Sequence, residues 1–145
     1  MQVDPRGQRF AAALTSVVLV AVLVTGSWGL LAAQTMVFAL GALLGLRFSP
    51  YGLVFKVLVR PRIGPPSELE PAPPPRFAQG VGLVFALVGT VGFALGTPWI
   101  GIGATALALA AAFLNAAFGF CLGCEMYLLI RRLLPKNRSD REVPA

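Results

Sequence analysis

Two long uncharged runs constrain this chain more than any other feature. Phe10 to Leu46 spans 37 residues and Phe77 to Cys124 spans 48 without a single Asp, Glu, Lys or Arg. As one helix the first run would be about 55 Å long, against a bilayer hydrocarbon core of about 30 Å. Each run therefore folds back on itself. Thr25-Gly26-Ser27-Trp28-Gly29 breaks the first, and Gly96-Thr97-Pro98-Trp99 breaks the second; both segments combine turn formers with poor helix formers. The expected architecture is all-α: a polytopic membrane protein, 1–145 as one membrane domain, with four transmembrane helices arranged as two helical hairpins. The helices are expected at 11–25, 28–46, 77–95 and 99–133, around a loop at 47–76, with a polar, disordered tail at 135–145.

Composition leaves no soluble alternative. Hydrophobic residues make up 57% and charged residues 12%, and the mean hydropathy is +0.77. There is too little polar surface to cover a globule, and disorder requires the opposite bias. The chain has no histidine. That removes Ser-His-Asp and Cys-His catalysis, histidine-ligated haem and His-based zinc sites. The net charge of +6 would favour nucleic acid in a soluble protein. Here the basic residues flank apolar spans and are read as topology signals and lipid-headgroup contacts, with no nucleic-acid partner.

The charges also set an orientation. All Lys and Arg lie at the N-terminus (Arg6, Arg9), in the central loop (Arg47, Lys56, Arg60, Arg62, Arg76) or near the C-terminus (Arg131, Arg132, Lys136, Arg138, Arg141). The two hairpin turns carry none. The positive-inside rule then places both termini and the loop in the cytoplasm of a bacterial cell, with the protein in the inner membrane. Trp28 and Trp99 fall at the outer interface. The first span is read as retained rather than as a cleaved signal peptide, because no clean A-x-A site follows it.

Smaller signals organise the rest. Arg9-Phe10-Ala11 opens the first hairpin and Arg76-Phe77-Ala78 the second, a pattern that fits an internal repeat. Ser49 to Arg60 reads as a short interfacial helix with Tyr51, Val54, Phe55 and Leu58 on one face. Pro61 to Pro75 contains seven prolines and is expected to be an extended, polyproline-like connector. Gly41-x-x-x-Gly45, Gly92-x-x-x-Gly96 and Gly119-x-x-x-Gly123 have the spacing of close helix contacts. Packing inside the bundle is their ordinary reading, and a homodimer is the alternative.

One constellation carries chemistry: Cys121-Leu122-Gly123-Cys124-Glu125. If the last helix continues through it, Cys121, Cys124, Glu125 and Arg132 share an arc of about 100°. In a regular helix the two Cβ atoms would be about 5–6 Å apart, while a relaxed disulfide needs about 3.5–4.5 Å. A mid-helix bridge would thus be strained and easily reduced, unless Gly119 and Gly123 loosen the backbone. Arg131 and Arg132 favour a thiolate and Glu125 opposes it. Three readings stay open: inert packing cysteines, a redox or sulfur-transfer dithiol, or half of a metal site completed by another chain. Asn115 is read as a helix–helix hydrogen-bonding residue. No motif calls for a cofactor.

Several segments together resemble a family of small bacterial membrane proteins described as domain of unknown function 4395. They are Val3-Asp4-Pro5-Arg6-Gly7-Gln8-Arg9-Phe10, Ser49-Pro50-Tyr51-Gly52, Arg60-Pro61-Arg62, Pro74-Pro75-Arg76-Phe77-Ala78-Gln79-Gly80, and Ala112-Phe113-Leu114-Asn115-Ala116 through Phe120-Cys121-Leu122-Gly123-Cys124-Glu125. The resemblance covers residues 3–132. It carries no established activity, but it implies a soluble thioredoxin-like or rhodanese-like partner and so raises the dithiol reading. The functional expectation is a thiol redox or sulfur-handling membrane protein, with Cys121 and Cys124 reacting, Glu125 exchanging protons and Arg132 biasing a thiolate. The alternative is a non-catalytic scaffold or small transporter subunit with structural cysteines. Whether the chain is an enzyme stays open.

Overall fold

A computed structural model describes residues 2–65, 69–71 and 73–134. The tail expected at 135–145 lies outside them. Four helices form a ring: α1 (Pro5–Thr25), α2 (Trp28–Ala39), α5 (Pro73–Ala94) and α6 (Pro98–Phe118). Between α2 and α5 lie two shorter helices, α3 (Pro50–Val54) and α4 (Arg60–Ile63), joined by the π-helical turn Phe55–Val59. The chain ends in α7 (Leu122–Leu133). Among the described residues the one sheet is a two-residue antiparallel ladder, β1 (Gln2–Val3) on β2 (Glu70–Pro71).

Each hairpin turns where glycine permits it. Gly26 (φ 66°) and Gly96 (φ 78°) adopt left-handed backbone, and Ser27 then caps α2 by accepting the Leu30 N–H. α5 is central, packed by α2, α6 and α7, and α1 packs more extensively on α6 than on its hairpin neighbour α2. Leu19, Val22, Leu31, Phe38, Ala86 and Ala108 form the core. Close approach is built from glycine: a Cβ on Gly89 would meet the Leu31 side chain at 2.8 Å. Outward-facing residues are apolar as well. Val17, Val84, Leu87 and Leu107 are all exposed, a surface suited to lipid contact.

Three helices, α1, α5 and α6, are long and apolar enough to cross a membrane. The helix expected at 28–46 is shorter. It becomes a π-helical turn at Leu40–Leu44 and ends at Gly45 (φ 110°), so its apolar stretch is Trp28–Leu44. The expected connector also differs. Arg60–Ile63 is helical, and Pro73–Pro75 form the first turn of α5, where a missing N–H removes no helical hydrogen bond. The helix expected at 99–133 is two helices, α6 and α7, separated by Gly119–Cys121.

The N-terminal end is tied down by side chains. Asp4 caps α1, accepting the Arg6 N–H at 3.0 Å, and pairs with the Arg6 guanidinium at 3.0 Å. That guanidinium also donates to the Gly64 carbonyl at 2.8 Å. Phe55 is buried, and its ring lies 5.7 Å from that of Phe10. Val54 and Leu58, expected on the same face of an interfacial helix, are exposed.

Candidate functional site

The break after α6 creates the site. Gly119 adopts the left-handed region (φ 69°, ψ 13°), which a residue with a Cβ enters only at a cost. Its N–H bonds the Asn115 carbonyl at 2.9 Å, the closure of an αL helix end, and the Phe120 N–H bonds the Leu114 carbonyl at 3.3 Å. The next two carbonyls, Ala116 and Ala117, accept from Arg9 of α1 at 3.2 and 3.3 Å. Three terminal carbonyls that would otherwise lack partners, Asn115, Ala116 and Ala117, are thereby engaged.

Cys121 follows in extended backbone (φ −93°, ψ 105°) and is the N-cap of α7. Its Sγ accepts the Cys124 N–H at 3.2 Å, as a capping oxygen would. Its carbonyl accepts the Glu125 N–H at 3.0 Å. The two cysteines form a disulfide with a Cα–Cα separation of 5.2 Å, inside the usual range. The bridge is not the mid-helix one expected from the sequence: Cys121 stands outside the helix and Cys124 within its first turn. Both residues are half-buried.

α7 is set against α5 by Gly123. A Cβ there would lie 2.6 Å from the Ala78 Cα and 2.5 Å from its Cβ. Tyr127, one turn further on, stacks at a tilt on Phe77 with ring centroids 5.7 Å apart. The expected glycine seams are split accordingly. In each of the three pairs one member, Gly45, Gly96 or Gly119, has positive φ and ends a helix. The other, Gly41, Gly92 or Gly123, is the one that meets a neighbour closely.

The expected arc of Cys121, Cys124, Glu125 and Arg132 presumes a continuous helix; the break removes Cys121 from it, while Cys124, Glu125 and Arg132 keep their helical spacing within α7. Glu125 is exposed in the first turn of α7, where a negative charge suits the helix dipole. Arg131 and Arg132 are exposed in the last turn, where positive charge suits it. Arg132 is eight residues beyond Cys124, about 12 Å along the axis and more than a Debye length of about 8 Å at physiological salt. It shares a surface groove with Glu125, not with the sulfurs. The cation that reaches the start of the break is Arg9, whose guanidinium lies about 3.8 Å from the Cβ position of Gly119. Sequence spacing carries no sign of this, because Arg9 is 107 residues from Ala116. Among the described residues no group of three or more Cys, Asp or Glu side chains could hold a metal ion.

The chain matches the family described as domain of unknown function (DUF4395) over residues 3–132, and it belongs to that family. No curated protein and no solved structure is detectably similar to it.

Proposed function

We propose that this DUF4395 protein is a membrane thiol–disulfide protein in which Cys121 and Cys124 cycle between dithiol and disulfide. The carrying observation is the placement of the pair at the start of α7, with the Cys121 sulfur accepting the Cys124 N–H. Free N–H groups and the helix dipole at such a position favour a thiolate over a thiol. A thiolate is the nucleophile in thiol–disulfide exchange. Arg9, held on the last carbonyls of α6, adds positive charge on the same side of the break.

In this reading the chain crosses the bacterial inner membrane four times, with α2 as the shortest span and both termini in the cytoplasm. The cysteine end then faces the cytoplasm, as the clustering of basic residues favours. A soluble thioredoxin-like or rhodanese-like protein exchanges with the pair there. Glu125 and Arg132 flank a shallow groove on the exposed side of α7, an oppositely charged pair available to such a partner. On this reading Glu125 exchanges protons with the cysteine pair.

The two hairpins are, on the same reading, copies of one unit. Arg76 donates to the Ala42 and Leu43 carbonyls at 2.8 and 3.0 Å, as Arg9 does at the end of α6. Phe77 pairs with Tyr127 as Phe10 pairs with Phe55, each at 5.7 Å. Ser49, the N-cap of α3, then takes the place of Cys121, so the thiols belong to the second unit alone.

The test is thiol accounting in native membranes. Mass-tagged maleimide is applied with and without prior reductant, and again after zinc chelation. A two-tag shift that appears only after reduction supports the dithiol cycle. Two tags accepted under every condition, together with unchanged growth of Cys121→Ser and Cys124→Ser strains under oxidative stress and sulfur starvation, would overturn it.

A further inference from the structure

Beneath the cysteine pair the helices do not close. A cavity of about 280 Å³ lies between α1, α5, α6 and the start of α7, and Cys121 forms part of its wall. Three residues with carboxamide side chains line it from three different helices: Gln8 of α1, Gln79 of α5 and Asn115 of α6. Between side chains inside the bundle, hydrogen bonds join Gln34 to Tyr51 and Thr35 to Thr90, and no hydrogen bond among the described residues engages the side chains of Gln8, Gln79 or Asn115. The rest of the wall is mostly apolar, including Phe85 and Ala112, and it contains no charged residue. Leu107 and Met126 also line the cavity and are themselves 61% and 46% exposed. The cavity therefore reaches the outer, apolar side of the bundle.

These features define an occupant. No cation lines the wall, so an anion such as a phosphate or a sulfur oxyanion has nothing to neutralise it. An opening between apolar side chains suits a molecule dissolved in lipid. Amides both donate and accept, so the same three side chains can hold a carbonyl in one redox state and a hydroxyl in the other. The volume is near the lower end of small-molecule sites, about 300–1,000 Å³. It has room for a ring head, whose tail leaves past Leu107 and Met126.

We infer that the cavity binds the ring of a lipid-soluble quinone, which oxidises the Cys121–Cys124 dithiol. The inference rests on the dithiol reading above. Two S–H bonds break and one S–S bond forms. The two electrons and two protons released convert the two quinone carbonyls to hydroxyls. A soluble dithiol partner then reduces the disulfide and becomes oxidised itself. Net transfer runs from a cytoplasmic dithiol to a quinone in the membrane.

The experiment uses the full chain in lipid nanodiscs, reduced with dithiothreitol and freed of it. Decylubiquinone is added, quinol is followed by absorbance, and thiols are counted by maleimide tagging. The expected result is one quinol formed for each cysteine pair oxidised. Asn115→Leu, Gln79→Leu and Ala112→Phe are each expected to raise the quinone concentration for half-maximal rate about tenfold, with helicity checked by circular dichroism. In Cys121→Ser, decylubiquinone should still raise the melting temperature while no quinol forms.

Failure of this inference and failure of the parent reading look different. If dithiothreitol reduces the pair and a soluble disulfide re-oxidises it, but decylubiquinone gives neither quinol nor a thermal shift, the quinone site is wrong and the dithiol reading stands. If quinol forms equally fast in Ala112→Phe, the reaction bypasses the cavity and the inference is overturned. If the pair can be neither reduced nor re-oxidised, both ideas fall together.

Discussion

Arg9 near the start of α1 holds the Ala116 carbonyl of α6 at 3.2 Å across 107 residues of sequence. The contact closes the helix whose end releases Cys121 into extended backbone. Arg9→Met removes both carbonyl bonds and the cation beside Gly119. Amide hydrogen exchange over residues 116–124 should then rise, and alkylation of the reduced cysteines at neutral pH should slow severalfold. Arg9→Lys, which keeps the charge but loses the fork geometry, should restore the alkylation rate more than the exchange protection. Hydrogen-exchange mass spectrometry and alkylation kinetics check the two halves separately.

Gly123→Ala places a methyl group against the Ala78 backbone. Backbone cannot rotate away as a flexible side-chain end can, so α7 must move off α5. Overpacking of this kind costs about 1–3 kcal/mol. A lower melting temperature in detergent is expected, together with weaker packing of Tyr127 on Phe77. An unchanged melting temperature would contradict the close approach.

Gln34 is buried in the bundle, and its Oε1 accepts the Tyr51 hydroxyl at 2.6 Å. Its Nε2 has no partner among the described residues. Tyr51→Phe leaves the whole amide unsatisfied and should destabilise the protein by about 1–3 kcal/mol. The double variant Gln34→Met with Tyr51→Phe removes both polar groups at similar volume. It should recover most of the loss, as read by thermal melts in a double-mutant cycle. Burial also pushes the Tyr51 hydroxyl above its ordinary pKa, so the phenol stays a donor at neutral pH.

Burial opposes ionisation of Asp4. The hydrogen bonds from Arg6 and the charges of Arg6 and Arg60 outweigh it and hold the carboxyl below its usual range. A lowered folded pKa stabilises the fold above the unfolded value, near 3.9, and that contribution fades as pH falls through the folded value. Asp4→Ala should lose about 1 kcal/mol through the missing cap. Its difference from wild type, measured by melting at a series of pH values, should be full at neutral pH and shrink below about pH 4.

The long apolar runs and their two Trp-flanked turns are legible because burial in lipid requires uninterrupted apolar residues, and glycine marks where such a run must reverse. The break at Gly119–Cys121 was not legible in the same way. It sits inside an apolar run where glycine also reads as a packing residue, and hydropathy does not distinguish the two roles. Ser49-Pro50-Tyr51-Gly52 carried a clearer local signal, since proline after a capping residue starts a helix.

The residue pattern by itself therefore determined an all-helical chain with membrane-length apolar helices and one cysteine pair, since these follow from composition and from periodicity within single segments. Only the tertiary structure decided that the cysteines stand at a helix start rather than in mid-helix. It also brought Arg9 to the α6 carbonyls, and Gln8, Gln79 and Asn115 to one cavity. Each of these depends on α1 lying beside α6 and on α5 lying between α2, α6 and α7. That arrangement is set by how glycine and alanine faces fit together across the bundle, and the fit is a property of pairs of helices, not of any one of them.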